Sequence, residues 1–186
     1  MKGDNIMKRL LVVVDMQKDF IDGSLGTKEA QAIVPNVAEK IKEYQHAGSV
    51  VVFTFDTHYE NYMETQEGKR LPVEHCIRET EGWELDEALR DFDGLPIEKS
   101  SFGSDVLASV IGDLYNVHSE CVDDFYVELI GVCTDICVVS NALLIKSIEP
   151  EVRIVVDASC CAGTTPEKHK AALEVMKSCQ IDVIGE

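Results

Sequence analysis

Three residues with reactive side chains each follow a predicted strand. Asp15 ends the segment LLVVVD, Lys99 ends PIEK, and Cys137 lies just past FYVELIGV. In a parallel α/β sheet, the carboxyl ends of the strands form the edge where ligands bind. A carboxylate, an ammonium and a thiol that meet at this edge would form a hydrolytic site with an activated sulfur nucleophile.

The surroundings of Cys137 favour a nucleophile over a structural cysteine. In GVCTDICV it follows a buried strand and enters the first turn of a predicted helix, which Thr134 or Asp135 can cap. Free N–H groups at a helix N-terminus favour thiolate over thiol, and they can also hold an oxyanion. A lone cysteine is more often a small buried core residue, so the interpretation depends on Asp15 and Lys99 lying beside it.

Alternating strand and helix patterns must position these residues. Continuous apolar runs predict buried strands, and 3.6-residue periodicity predicts helices. The predicted strands are 8–15, 50–56, 96–99, 125–132, 153–157 and 181–184. The predicted helices are 34–47, a short one near 84–92, 104–113, 135–147 and 166–179, whereas 114–124 is ambiguous. This pattern predicts one α/β domain over residues 1–186, a three-layer sandwich with a central, mainly parallel sheet and helices on both faces.

Composition excludes several classes of partner. The net charge of -17 argues against binding to nucleic acid or to an anionic membrane surface, because both need clustered lysine and arginine. No apolar run approaches the length of a membrane span. The apolar run near the N-terminus ends in Asp15 without a signal-peptide cleavage site, so we expect a cytoplasmic protein.

Several motifs together resemble the isochorismatase-like cysteine hydrolases, and within them the nicotinamidases. The matching segments run in family order along nearly the whole chain: VVDMQKDF, DTH, LPVEHC, EKSSFGS and GVCTDICV. The resemblance implies a catalytic triad of Asp15, Lys99 and Cys137. It also implies a cis peptide at Val132–Cys133 that orients the oxyanion-hole amides of Cys133 and Cys137. The branch that cleaves isochorismate lacks the nucleophilic cysteine, so that reaction is not expected here.

A metal site is the second implication. Asp56 and His58 are two residues apart in an extended segment, so their side chains project to one face. Carboxylate and imidazole ligands suit zinc, manganese or iron, although an isolated D-x-H is more often a surface accident. By resemblance to nicotinamidases, a divalent metal, zinc by preference, is expected on Asp56, His58 and His75. Glu67 is the expected fourth ligand and Glu64 the alternative, both from the long polar segment 57–82.

Aromatic residues are the candidates for a substrate wall. Phe20, Phe102 and Tyr62 could stack on a ring, and Leu71 stands where nicotinamidases usually carry an aromatic residue. The remaining histidines, His46, His118 and His169, have no motif around them.

The leading hypothesis is a metal-dependent amidase that hydrolyses nicotinamide or a related small aromatic or heterocyclic amide to the acid and ammonia. A metal-independent cysteine hydrolase of carbamoyl or ureido compounds is the second hypothesis. A flavodoxin-like binding module with a structural cysteine is the third, although no phosphate-binding glycine loop follows the first strand. The acidic surface, together with the oligomeric state that is common in the resembled family, predicts a homodimer or tetramer.

Overall fold

The centre of the fold is a strand that is apolar on both faces. In a computed structural model, which describes residues 9–118 and 125–186, strand β1 spans Arg9–Val14, and all of its residues after Arg9 are buried. It pairs in parallel with β2 (Val50–Asp56) on one side and with β4 (Tyr126–Val132) on the other. Such a strand must be covered on both faces, which explains its continuous apolar run.

Three further strands complete a parallel sheet. They are β3 (Leu95–Lys99), β5 (Arg153–Ala162) and β6 (Asp182–Ile184). The strand order is β3-β2-β1-β4-β5-β6, and every pairing of these strands is parallel. The predicted sheet is therefore confirmed.

Helices pack on both faces of the sheet. Those of the described chain are α1 (Lys18–Ile21), α2 (Lys28–His46), α3 (Gln66–Arg70), α4 (Asp105–His118), α5 (Val139–Ile148) and α6 (Pro166–Ser178). Alternate residues of β1 point to opposite sides. Leu10 and Val12 pack with apolar residues of α4, α5 and α6, whereas Leu11 and Val13 pack with α1 and α2. The three-layer arrangement follows from this alternation.

Some predicted boundaries differ from the structure. Helix α2 begins at Lys28 because the Thr27 hydroxyl accepts a hydrogen bond from the Ala30 N–H at 3.0 Å, and Pro35 lies inside the helix. The predicted helix near 84–92 is wrong. A short 3₁₀ turn at Glu81–Trp83 precedes that segment. The backbone of the segment itself is bound to the chain just after β1, where the Asp86 N–H donates to the Met16 carbonyl at 2.9 Å.

The other differences lie in β5 and the ambiguous segment. Strand β5 continues past the predicted end at 157 as far as Ala162. Helix α4 extends to His118. The structure does not describe residues 1–8, residues 119–124 or the side chain of His118, so the predictions for those parts lie outside the described residues. Among the helices that are described, none has the length and apolar character needed to cross a membrane.

Candidate active site

Asp15 is fixed immediately after β1 by contacts with β2 and β4. It has a φ of 49°, in the left-handed region that residues other than glycine rarely adopt. Its N–H donates to the Thr54 carbonyl at 3.2 Å, and the Thr54 hydroxyl donates to Asp15 Oδ1 at 2.6 Å. Strand β4 passes so close that a Cβ on Gly131 would lie 2.2 Å from the Val14 carbonyl oxygen. The Asp15 carboxylate is fully buried at this edge of the sheet.

Lys99 brings three carboxyl-edge groups together. It is the last residue of β3, where the sheet register pairs it with Asp56 of β2. Its Nζ lies 2.7 Å from Asp15 Oδ2, 3.4 Å from Asp56 Oδ1 and 3.6 Å from Cys137 Sγ, and the side chain is 1 % exposed. Lys99 thus contacts both of the other predicted triad residues, Asp15 and Cys137.

Cys137 lies in a tight turn directly after β4. The Val132–Cys133 peptide is cis, as the resemblance implies. Residues Thr134–Val138 then form a single π-helical turn that leads into α5, and the Cys133 carbonyl accepts the N–H groups of Ile136 and Val138 at 3.0 and 3.1 Å. Cys133 and Cys137 both line the same cavity.

The expected side-chain cap of this turn is wrong. Cys133 occupies the cap position, and no side chain accepts a hydrogen bond there. The Thr134 hydroxyl is instead 2.8 Å from His169 Nδ1 of α6. The Asp135 carboxylate accepts the N–H and the hydroxyl of Thr164 at 2.7 and 2.6 Å. Thr134 therefore attaches the turn to α6, Asp135 attaches it to the segment between β5 and α6, and neither side chain caps it.

Burial controls the protonation of the three residues. Burial first, and the Asp15 carboxylate second, raise the pKa of the Cys137 thiol well above its ordinary value of 9.0. Burial also raises the pKa of Asp15, although the Lys99 ammonium opposes this effect. Burial lowers the pKa of Lys99, but the negative charges around it more than compensate and the net shift is upward. Burial and the charge of Asp15 therefore act against the stabilisation of a thiolate that the helix N-terminus and Lys99 provide.

A second group of side chains surrounds the end of β2. One ligand atom from each of Asp56, His58, Glu67 and His75 lies within 4.8 Å of the others. His58 Nε2 and His75 Nε2 are 3.2 and 3.6 Å from Asp56 Oδ2, and both are 3.8 Å from Glu67 Oε1. Ligand atoms at about 2.0–2.2 Å from one ion are separated by roughly 3–4 Å, so the group fits a divalent metal.

Two details of this group agree with a metal site. His75 Nδ1 is 2.8 Å from the Val73 carbonyl, which directs Nε2 at the cluster. Although burial raises the pKa of Asp56, contacts with His58 and His75 and the charge of Lys99 hold that pKa well below its usual range. Asp56 is thus an ionised acceptor. Glu64, the alternative fourth ligand, is exposed and lies outside the group.

A cavity of about 780 Å³ joins the two groups. Cys137, Asp56, His58, Glu67 and His75 contribute to its wall, and so do the predicted Phe20, Leu71 and Phe102. Tyr62 was also a candidate for the wall, but it is fully buried outside the lining. Its ring packs against His58 and His75 at centroid distances of 4.7 and 5.0 Å, and its hydroxyl donates to the Leu71 carbonyl at 2.9 Å. Tyr62 therefore supports the imidazoles.

Sequence analysis missed two buried amides that hold the site. Gln17 Nε2 donates to the Asp56 carbonyl at 2.9 Å, and its Oε1 accepts the Asp56 N–H at 2.7 Å. Asn141 Nδ2 donates to the Cys137 carbonyl at 2.8 Å and to the Phe102 carbonyl at 3.2 Å. Two signals in the sequence were available. Gln17 is a polar residue two positions after Asp15, and Asn141 is a polar residue that lies one helical turn after Cys137.

Comparison with known proteins finds relatives named as nicotinamidases and pyrazinamidases. The chain is 23% identical to a nicotinamidase of Saccharomyces cerevisiae over 96% of this chain and 100% of that protein. The crystal structure of a pyrazinamidase of Pyrococcus horikoshii in complex with zinc is 28% identical, with a TM-score of 0.77 over 96% of this chain and 99% of that one. A nicotinamidase from Bacillus subtilis is 26% identical, with a TM-score of 0.78 over the same shares.

The fold and these relatives define the class of the protein as an α/β amidohydrolase. Residues 9–185 match the family model described as the Isochorismatase domain. The chain therefore belongs to the isochorismatase family, in its nicotinamidase-like branch.

Proposed function

We propose that this protein is a metal-dependent cysteine amidase that hydrolyses nicotinamide, or a related small aromatic or heterocyclic amide, to the acid and ammonia. The contact of Lys99 Nζ with Asp15, Asp56 and Cys137 is the observation that supports this most strongly. It puts a potential nucleophile and a potential metal-binding group on one cavity of a size suited to small ligands.

Proton transfer between Cys137 and Asp15 is the first step of the proposed mechanism. Asp15 takes the thiol proton as the sulfur attacks the amide carbon, and the N–H groups of Cys133 and Cys137 hold the oxyanion. The raised pKa of Asp15 suits it to accept this proton and to give it to the leaving nitrogen. The C–N bond then breaks, which releases ammonia and leaves a thioester on Cys137.

Water completes the cycle. Asp15 removes a proton from a water molecule, whose oxygen bonds to the acyl carbon while the C–S bond breaks. The acid is released and the sulfur regains the proton. Throughout, the Lys99 ammonium stabilises negative charge on the sulfur and keeps the carboxylate of Asp15 oriented by their contact at 2.7 Å.

Asp56, His58, Glu67 and His75 would hold the metal ion in this proposal. When bound, the ion would supply a Lewis-acidic centre for a ring nitrogen or another donor atom of the substrate. The protein itself orients the amide, through the walls of Phe20 and Phe102 on the cavity that also contains Cys137.

A panel of small amides assayed for ammonia release tests the proposal. Nicotinamide and pyrazinamide are compared with carbamoyl and ureido compounds on protein purified without chelator. Turnover of the aromatic amides and its loss on metal removal would support the proposal. Turnover of the carbamoyl compounds alone, with no dependence on metal, would support the second hypothesis instead.

A further inference from the structure

Arg70 stands apart from the other arginines. The chain has five, all within the described residues. Four lie within 4.0 Å of a carboxylate: Arg9 with Glu43, Arg78 with Glu98, Arg90 with Glu84 and Arg153 with Asp182. No carboxylate of the described residues lies within that distance of Arg70, although the protein carries 34 acidic residues against 17 lysines and arginines. A guanidinium without a counter-ion in so acidic a chain is available to an anion from solution.

The position of Arg70 connects it with the candidate active site. It is the last residue of α3, three positions after Glu67, so both residues lie on one side of this short helix. Glu67 lies 3.8 Å from both His58 and His75. Among the described residues that line the cavity, Arg70 is the only lysine or arginine, and it is exposed to solvent there.

The size of the cavity leaves room for a second contact. A volume of about 780 Å³ lies in the upper part of the range that holds drug-sized ligands, and a single-ring carboxamide fills only part of it. The planar guanidinium forms two parallel hydrogen bonds with a carboxylate, which neutral groups cannot reproduce.

We propose that Arg70 is a specificity-determining residue, and that the substrate is an amide that also carries a carboxylate, which pairs with this guanidinium at the opening of the cavity. This inference rests on the proposed amide hydrolysis and narrows its substrate class to anionic amides.

Matched substrates test the inference. Pyridine carboxamides with a ring carboxylate placed meta or para to the amide are each compared with their own methyl ester, and kcat/KM is measured for every compound. The readout is the ratio of the carboxylate to its ester, which cancels general losses of activity. We expect a ratio of about ten or more for at least one pair, as for other hydrogen bonds to charged groups.

Variants separate Arg70 from general electrostatics. Arg70→Met and Arg70→Gln should each reduce the ratio by about tenfold, and Arg70→Lys should retain part of it, because a point charge replaces the two-pronged contact. Lys69→Met is the control, since it removes the same charge from the neighbouring exposed residue, which does not line the cavity. It should keep the wild-type ratio.

Each outcome decides the matter. If the amide bond is hydrolysed equally well in every carboxylate and in its methyl ester, the role of Arg70 is overturned and the proposed amidase activity stands. An equal fall of the ratio in Lys69→Met and Arg70→Met also overturns it, because the effect would then be long-range. Absence of ammonia release from every amide contradicts the proposed function, and with it the inference that rests on it.

Discussion

Lys99 Nζ and Asp56 Oδ1 lie 3.4 Å apart, so one ammonium contacts both the carboxylate of the candidate triad and that of the candidate metal group. Asp56 is the last residue of β2 and lies at the sheet position directly opposite Lys99. We therefore expect a change in either group of residues to affect the other through the charge of Lys99.

The first prediction concerns this buried charge. We expect Lys99→Met to abolish amide hydrolysis and to lower the free energy of unfolding by about 3–5 kcal/mol, because Asp15 and Asp56 are left buried without their cation. Urea denaturation measures the loss. The double variant Asp15→Asn/Lys99→Met should recover part of the stability and none of the activity. Equal stability of Lys99→Met and the wild type would mean that the ion pair does not form in solution.

The second prediction separates the two cysteines of the turn. Cys137→Ala should reduce turnover to less than a few per cent, because no other thiol of the described residues forms a hydrogen bond with Lys99. Cys133→Ala should retain most activity, because only its backbone N–H is used. Mass spectrometry of acid-quenched protein should find the acyl group on Cys137. Substantial turnover by Cys137→Ala would exclude the thioester route.

The third prediction concerns the reactivity of the thiol. Burial and Asp15 raise the pKa of Cys137 above 9.0. The rate of alkylation by iodoacetamide in the free protein should therefore be low at neutral pH and should rise as the pH is increased. Asp15→Asn removes the negative charge and should lower this pKa, which makes alkylation at neutral pH faster. The modified residue is located by peptide mass spectrometry. Faster alkylation of the wild type than of the variant would reverse the assigned sign.

The fourth prediction concerns the metal. Elemental analysis of protein purified without chelator should find a divalent ion, and His58→Ala should lose it because one ligand of the group is removed. His46→Ala is the matched control, since this exposed histidine lies on α2 away from the group. Equal metal content in both variants would contradict the assignment of His58.

The fifth prediction is a pH dependence of stability. Burial lowers the pKa of His169 below its ordinary value of 6.5. The unfolded chain therefore binds the proton more readily, so the contribution of neutral His169 is complete above pH 6.5 and is lost as the pH falls below it. Melting temperatures between about pH 5 and pH 8 should decrease on the acidic side more steeply for the wild type than for His169→Gln. Parallel curves would show that His169 makes no such contribution.

The positions of strand ends made most of the site predictable. Asp15, Lys99 and Asp56 each close a predicted strand, and parallel strands bring their carboxyl ends to one edge whatever their order. The turn at Thr134–Val138 was not predictable, because its capping residue is Cys133 and the polar side chains after it contact α6 and the segment before it. The segment after Trp83 has a helical pattern, but backbone hydrogen bonds to the end of β1 override it. The homodimer or tetramer and the cytoplasmic location stay predictions, to be tested by light scattering and by fractionation.

The strand order makes activity at the candidate site a measure of correct folding of the sheet. Lys99, Asp56, Asp15 and Cys137 lie at or just after the ends of four neighbouring strands, β3, β2, β1 and β4, which are separated by long stretches of chain. A slip of one residue in any of these pairings would turn a site side chain to the opposite face. Recovery of turnover during refolding would therefore report that the strands have paired in the correct register. Helical content measured by circular dichroism would be the same for a correctly paired sheet and a misaligned one.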